Sequence, residues 1–274
     1  MKLTQAILPV AGLGTRFLPW TKVVPKELLP IGNQPIIGHL VDECLSVGIN
    51  DICFVISHGK EMIPQYFYAD PALEAELRRR GKHDALSDLK RYDEVNLHVV
   101  YQDEQHGDGH AILQAADWVK SDMIAILFGD DLIAGEETGL QQLVSAYKDL
   151  PSSKTHSPML CLENVPRELV SKYGIVDIDE KGSKGKLKKI RGLVEKPTPK
   201  DAPSTLGIVG KYLIPRSTFD MLPEVESGHG GEIRLIDALI AQLGDLPIYG
   251  YEVEGKRLDT GTPEGYKEAV RVLG

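Results

Sequence analysis

The chain is short of cysteine, has no long apolar run and carries no surplus of basic charge, and each shortage removes a class of protein. Its 274 residues include three cysteines, Cys44, Cys53 and Cys161, far apart and without a CxxC pair. That spacing suits buried free thiols in a reducing compartment better than a disulfide or zinc framework. No stretch approaches the ~18 consecutive apolar residues of a membrane span, so no membrane association is expected. The run from Met1 to Gly14 has one lysine and a short apolar stretch, which Thr4 and Gln5 interrupt. It leads straight into a loop with its own chemistry, so the expectation is a cytoplasmic chain rather than a signal peptide. A formal net charge of −9 argues against general nucleic-acid binding, where a basic surface supplies the affinity. A few lysines and arginines can still build a local positive site. Any anionic ligand must therefore be held by a small, identifiable set of cations.

What is present is an alternation of short apolar runs and helical patterns, the mark of an α/β fold with a sheet flanked by helices. Gln5 to Val10 reads as a buried first strand, followed by a loop from Ala11 to Pro30. Ile36, Ile37, Leu40, Val41, Cys44 and Leu45 repeat at helical spacing, and Gly48 closes that helix. Ile52 to Ile56, Val95 to Tyr101 and Met123 to Phe128 read as further strands, with a helix from about His110 to Val119. This is a βαβαβ progression, whose ligands sit at strand C-termini. The polar insertion between Tyr66 and Asp93 reads as a solvated helical pair. In the second half, strands at Gly174 to Ile178, Leu187 to Val194 and Leu206 to Leu213 are separated by glycine- and lysine-rich turns. The basic run from Lys181 to Arg191 reads as an exposed hairpin turn. A helix from Ile233 to Leu243, a strand from Ile248 to Val253 and a helix from Pro263 to Leu273 complete the chain. With no linker and no internal repeat, one domain is expected.

Three segments carry chemistry. In the first, Pro9 to Pro30, Gly12 and Gly14 directly follow a strand and allow backbone N–H groups to approach an anion. Phe17 stands where a dinucleotide fingerprint needs its third glycine, and no Gly-Lys-Ser/Thr follows as in a Walker loop. Arg16, Lys22 and Lys26 follow closely, stiffened by Pro19, Pro25 and Pro30, a combination suited to a polyphosphate. In the second, Gln102 lies just past a strand end, with Gly107 and Gly109 allowing close approach. Its amide offers both a donor and an acceptor to a pyrimidine edge. His110, at a helix start without a clear partner, reads as structural. In the third, Gly129-Asp130-Asp131 ends a strand. Adjacent side chains on extended backbone diverge, so one carboxylate, Asp130, is the candidate Mg²⁺ ligand; a helix-capping turn is the alternative. Glu195-Lys196-Pro197 and Leu258-Asp259-Thr260-Gly261 supply further groups. Glu195 can accept from sugar hydroxyls and Lys196 can meet a phosphate, with a solvated strand end as the alternative. Asp259 is either a second metal ligand or part of a helix-start turn.

Taken together, the first loop, Gly129-Asp130-Asp131, Val194-Glu195-Lys196-Pro197 and Asp259-Thr260-Gly261 resemble the sugar-1-phosphate nucleotidyltransferases. Thr21-Lys22, Pro25-Lys26-Glu27, LEAELRRRGK, Tyr173-Gly174-Ile175-Val176, Gly207-Ile208-Val209-Gly210 and GHGGEIRLIDAL are similar to the bacterial branch that joins UTP to glucose 1-phosphate. The likeness runs from about Gln5 to Tyr266. It implies a single Rossmann-like domain with a mixed sheet. The nucleotide-binding half would span about residues 1–135 and the sugar-binding half about 136–274. It also implies roles: Ala11, Gly12 and Gly14 for the nucleotide through backbone groups, with Thr15 and Gly107 beside them. Glu27 and Gln102 would read uracil, and Arg16 and Lys26 would grip the triphosphate. Asp130 would hold Mg²⁺, with Asp259 a candidate second ligand. Gly174, Glu195 and Glu232 would contact glucose, and Lys196 its phosphate. Some relatives look regulatory, with losses in the first loop, whereas Thr15, Arg16 and Lys26 are all present here. The same chemistry with dTTP or another sugar phosphate, and a non-catalytic nucleotide-sugar sensor, are the rival readings. Relatives are often dimers or tetramers, so the resemblance also admits a homo-oligomer.

Overall fold

A computed structural model describes residues 3–225 and 231–274. Within them, nine strands form one mixed sheet. The first four are β1 (Gln5–Pro9), β2 (Asp51–Ile56), β3 (Asn96–Tyr101) and β4 (Met123–Leu127). They lie parallel in the order β3-β2-β1-β4. β1, β2 and β4 are almost wholly buried, which is why they read as continuous apolar runs instead of alternating ones. Chain order runs outward from β1 to β3 and then returns to β4 on the far side of β1. The carboxyl ends of β1 and β4 therefore flank a topological switch point, the crevice in which open α/β sheets bind ligands.

Helix α1 (Ile36–Ser46) buries Ile36, Ile37, Leu40, Val41 and Cys44 against this sheet. The insertion forms α2 (Pro71–Arg79) and α3 (His83–Leu89), which pack on each other and are largely exposed. The expected helix from His110 to Val119 is shorter. It runs as α4 (Asp108–Leu113) and then tightens into a 3₁₀ turn at Ala116–Trp118.

The further elements that frame the site are β5 (Asp131–Ala134), α5 (Gly139–Lys148), β6 (Met159–Asn164), β7 (Gly174–Lys184), β8 (Leu187–Glu195), β9 (Leu206–Pro215), α6 (Leu235–Gln242), β10 (Ile248–Glu252), β11 (Lys256–Asp259) and α7 (Pro263–Leu273). The sheet continues from β4 as β9-β6-β10-β8-β7, so one surface carries both halves of the chain. Lys181 and its neighbours belong to the β7–β8 hairpin, as expected. Helix α5 and strand β6 were not foreseen. The signal for α5 was nonetheless local, because Thr138 and Gln141 form a reciprocal capping box. The β5–β11 ribbon pairs Asp131 with Asp259, a contact across 128 positions that no local pattern announces. A buried ion pair, Lys211 Nζ to Glu43 Oε2 at 2.7 Å, ties α1 to β9. Cys44, Cys53 and Cys161 are all buried and free.

Candidate active site

A cleft of about 270 Å³ opens at the switch point, lined by the end of β1, the loop after it, the loop after β3 and Phe128-Gly129-Asp130 after β4. On one wall the chain turns at Gly14, whose φ of +64° is left-handed. A Cβ there would also lie 3.1 Å from Thr21 Cγ2, so glycine is required by both conformation and space. Thr21 Oγ1 donates to Gly14 O at 2.8 Å and fixes the turn. Ala11 is buried, while Gly12 and Thr15 are exposed.

The cations of this loop are placed by tertiary contacts. Lys26 Nζ lies 2.7 Å from Asp130 Oδ2. Burial acts to lower the Lys26 pKa, but the charges of Asp130 and Glu27 outweigh it and the net shift is upward. Burial likewise acts to raise Asp130, yet Lys26, then Arg257 and Arg16, hold its carboxyl below the usual range. Arg16 reaches across to Gly261 O at 3.3 Å. The loop before α7 is thereby joined to the first loop.

Asp130 and Asp131 diverge as extended backbone requires. Asp131 accepts from Gly210 N at 2.9 Å and from Arg257 Nε at 2.6 Å. It belongs to the packing between β5, β9 and β11. Burial acts to lower the Arg257 pKa, and Asp131 outweighs that and raises it. Asp130 instead faces Asp259 across Gly261. A Cβ on Gly261 would lie 2.7 Å from Asp130 Oδ2 and 3.0 Å from Asp259 Oδ1. The two carboxylates thus form a cradle that only a glycine leaves open. One or two carboxylates plus substrate phosphates is an ordinary donor set for Mg²⁺, and these two fit it. Among the described residues, no group of three or more His, Cys, Asp or Glu could hold a metal by itself.

The opposite wall is the loop after β3. Gln102 is 3% exposed, and its Nε2 lies 3.0 Å from Gly107 O and 3.1 Å from His110 Nδ1. A peptide oxygen can only accept, so the amide nitrogen must face it and Oε1 is left for the cleft. His110, which had no partner in the sequence, thus helps to orient Gln102. Gly107 has a φ of +97°, and a Cβ there would lie 2.4 Å from Ile233 O. This glycine lets the segment before α6 lie directly against the loop after β3. The expected start of that helix at Ile233 moves to Leu235, because Ile233 O receives the N–H groups of Gly109 and His110.

Glu27 lines the cleft but is 1% exposed, and its carboxylate is held by Lys60 Nζ at 3.0 and 3.2 Å. Lys60 also donates to Val10 O at 2.7 Å. Burial lowers the Lys60 pKa, and Glu27 offsets this only in part. Neither Lys60 nor Arg257 was singled out in the sequence, where each is one lysine or arginine in a polar stretch. Gly174 and Glu195 face each other in the β7–β8 ladder. Lys196 is exposed, with its Nζ 3.0 Å from Glu195 Oε1, and it does not reach the first loop. Its φ of +46° is the one left-handed value at a non-glycine residue among those described, a strained conformation of the kind that collects at functional sites. Glu232 is exposed and abuts Gly107. Gly228 to Gly230 of the GHGGEIRLIDAL run lie outside the described residues.

The sequence profile of the nucleotidyl transferase family matches residues 5–273. The chain belongs to that family. This family member is 41% identical to a UTP--glucose-1-phosphate uridylyltransferase of Komagataeibacter xylinus over 95% of this chain and 90% of that one. It is 39% identical to the enzyme of the same name from Bacillus subtilis (strain 168), over 97% and 89%. In three dimensions it resembles a UTP-bound UGPase from Acinetobacter baumannii, with a TM-score of 0.88 and 33% identity over 98% and 93% of the two chains. A UDP-glucose pyrophosphorylase complexed with UDP-glucose gives a TM-score of 0.87 and 32% identity over 98% of each chain. These matches span the whole mixed sheet and both walls of the cleft. Among the described residues of this family member, no helix is long and apolar enough to cross a membrane.

Proposed function

We propose that the protein makes UDP-glucose and pyrophosphate from UTP and glucose 1-phosphate. The observation that carries this reading is Lys26 paired with Asp130 at the switch point, opposite a Gln102 amide with a free acceptor. Gln102 Oε1 accepts from the uracil N3–H, and Glu27, braced by Lys60, supports the same wall. Backbone groups of Ala11, Gly12 and Gly14, with Thr15 and Gly107, hold the nucleotide. Arg16 and Lys26 grip the triphosphate. Gly174, Glu195 and Glu232 contact the glucose, and Lys196 meets its phosphate. In this reading residues 1–135 serve the nucleotide and 136–274 the sugar, although Arg16 and Gly261 already bridge the two.

The sugar phosphate oxygen attacks the α-phosphorus. The new P–O bond forms as the bond to the β-phosphate oxygen breaks, in line, and pyrophosphate leaves with that electron pair. The nucleophile is already an anion, so no general base is required, and catalysis consists of alignment and charge neutralisation. Asp130 and Asp259 would hold a Mg²⁺ ion, which supplies positive charge to phosphate oxygens that repel one another. Lys26, released from Asp130, turns to those same oxygens. Lys196, held in a strained backbone, brings its ammonium to the incoming phosphate. The buried thiols support a reducing, cytoplasmic setting.

Pyrophosphate release by the purified protein with UTP, glucose 1-phosphate and Mg²⁺, run beside dTTP, ATP, CTP and GTP, tests this directly. Rapid release with UTP is expected. Release with dTTP alone would reassign the nucleotide, and no release with any pair would leave a nucleotide-sugar sensor.

A further inference from the structure

The β5–β11 ribbon sets Asp259 opposite Asp131, the chain neighbour of Asp130. Arg257 stands two residues before Asp259 on β11. Its Nε donates to Asp131 Oδ1 at 2.6 Å, and Asp131 Oδ2 accepts from the Gly210 N–H at 2.9 Å. Nη1 of the same guanidinium lies 3.8 Å from Glu163 Oε2 on β6. The face of the guanidinium is occupied as well, since its central carbon stands 5.0 Å from the centroid of the Tyr173 ring. The Arg257 side chain is 11% exposed and does not line the cleft.

Tyr173 is the residue before β7, and Lys196 is the residue after β8. Gly174 and Glu195 pair at the end of that ladder, and the Lys196 N–H donates to Tyr173 O at 3.0 Å. The ladder therefore runs one step further and ties Tyr173 to the turn from which Lys196, at φ +46°, projects. A Cβ on Gly207 of β9 would lie 3.4 Å from Tyr173 Cβ and Cγ, so β9 lies close against the base of that side chain. Arg257 bears on the carboxylate cradle through Asp131 and on the Lys196 turn through Tyr173. A guanidinium serves both because its edge donates in the plane while its face stacks on an aromatic ring. A lysine would neutralise Asp131 but offers no planar face.

We propose that Arg257 is a positioning residue: bonded edge-on to Asp131 and stacked face-on against Tyr173, it holds the Lys196 turn in register with the Asp130–Asp259 cradle, so that the sugar phosphate is aligned against the nucleotide. The inference rests on the proposed function and adds how the two halves of the site are kept in register.

The experiment compares wild type with Tyr173→Leu, which removes the ring and leaves the Arg257–Asp131 bond; Arg257→Lys, which keeps a positive charge beside Asp131 without the planar face; Tyr173→Phe, which keeps the ring; and the double variant of Tyr173→Leu with Arg257→Lys. Steady-state kinetics vary UTP and glucose 1-phosphate separately. In Tyr173→Leu the kcat/KM for glucose 1-phosphate should fall about tenfold, the loss of a desolvated stacked cation, while the KM for UTP stays within about twofold. Arg257→Lys should show the same pattern, and Tyr173→Phe should recover the wild-type values. The double variant should be no worse than the poorer single variant, because the two side chains act as one contact. An Arg257 that only stabilised the ribbon would give losses that multiply in the double variant and fall on UTP and sugar alike. Either result overturns the proposal, as does wild-type behaviour of Tyr173→Leu. Should Arg257→Lys fail to fold, Tyr173→Leu against Tyr173→Phe decides. Calorimetric titration of UDP-glucose into the same proteins gives a readout independent of turnover. A loss of affinity in Tyr173→Leu that Tyr173→Phe restores supports the inference, and equal affinities in the two overturn it. If the wild type releases no pyrophosphate, the proposed function fails separately and this titration still decides.

Discussion

Lys26 and Asp130 meet at 2.7 Å although 104 positions separate them. One stands on the loop after β1 and the other at the end of β4, and the parallel pairing of those strands sets the distance between them. In the absence of ligand each neutralises the other. In the proposed reaction a triphosphate and a cation would give both charges stronger partners, and the pair would act as a preorganised charge exchange. Lys26→Ala or Asp130→Asn should lower kcat by about a hundredfold or more, the cost of removing one partner of transition-state charge. Both variants should keep the thermal unfolding profile of a folded protein. Near-normal turnover by either purified variant would remove that residue from the mechanism.

Gly261 separates Asp130 from Asp259. Gly261→Ala would drive a methyl to 2.7 Å from Asp130 Oδ2 and splay the cradle. The Mg²⁺ concentration for half-maximal rate should then rise at least about tenfold, and chelation should abolish turnover in wild type and variant alike. An unaltered Mg²⁺ titration in Gly261→Ala would dissociate these carboxylates from the metal.

Lys196 supplies an ammonium from a left-handed backbone, with φ +46°. Lys196→Ala should lose about a hundredfold in kcat and retain the strain. Lys196→Gly should lose as much activity but be more stable than the alanine variant by about 1 kcal/mol, because glycine carries no Cβ penalty there. Denaturant melts of the two variants measure the difference, and equal stabilities would mean that the backbone is unstrained.

Arg257 joins β11 to Asp131 inside the ribbon that sets the distance between Asp130 and Asp259. Arg257→Met leaves Asp131 buried without its counter-charge, which should cost about 3–5 kcal/mol in chemical denaturation. A loss below about 1 kcal/mol would show that Asp131 is adequately solvated by its backbone donor.

Much of the fold was legible because its signals are local. Gln5 to Pro9, Asp51 to Ile56 and Met123 to Leu127 read as buried parallel strands from unbroken apolar runs, and α1 and α7 from periodicity and end residues. The β5–β11 ribbon and the buried Lys211–Glu43 pair were not legible. They join residues more than a hundred positions apart, and the partners are ordinary charged residues in sequence. In the site, the loop from Gly12 to Lys26 and the divergence of Asp130 from Asp131 could be read from chain geometry. Lys60 and Arg257 could not, since their significance lies in what burial and neighbours do to their charge.

By itself the sequence determined that a glycine turn with clustered cations follows the first strand, that a carboxylate ends the fourth, and that an amide follows the third. These are properties of short segments, set by backbone conformation and alternation. Only the tertiary structure decided which cation meets which anion, and that the Gln102 amide nitrogen faces Gly107 O and His110. Those are outcomes of strand order, and electrostatic partners depend on distance in space, which the spacing of residues along a chain does not contain.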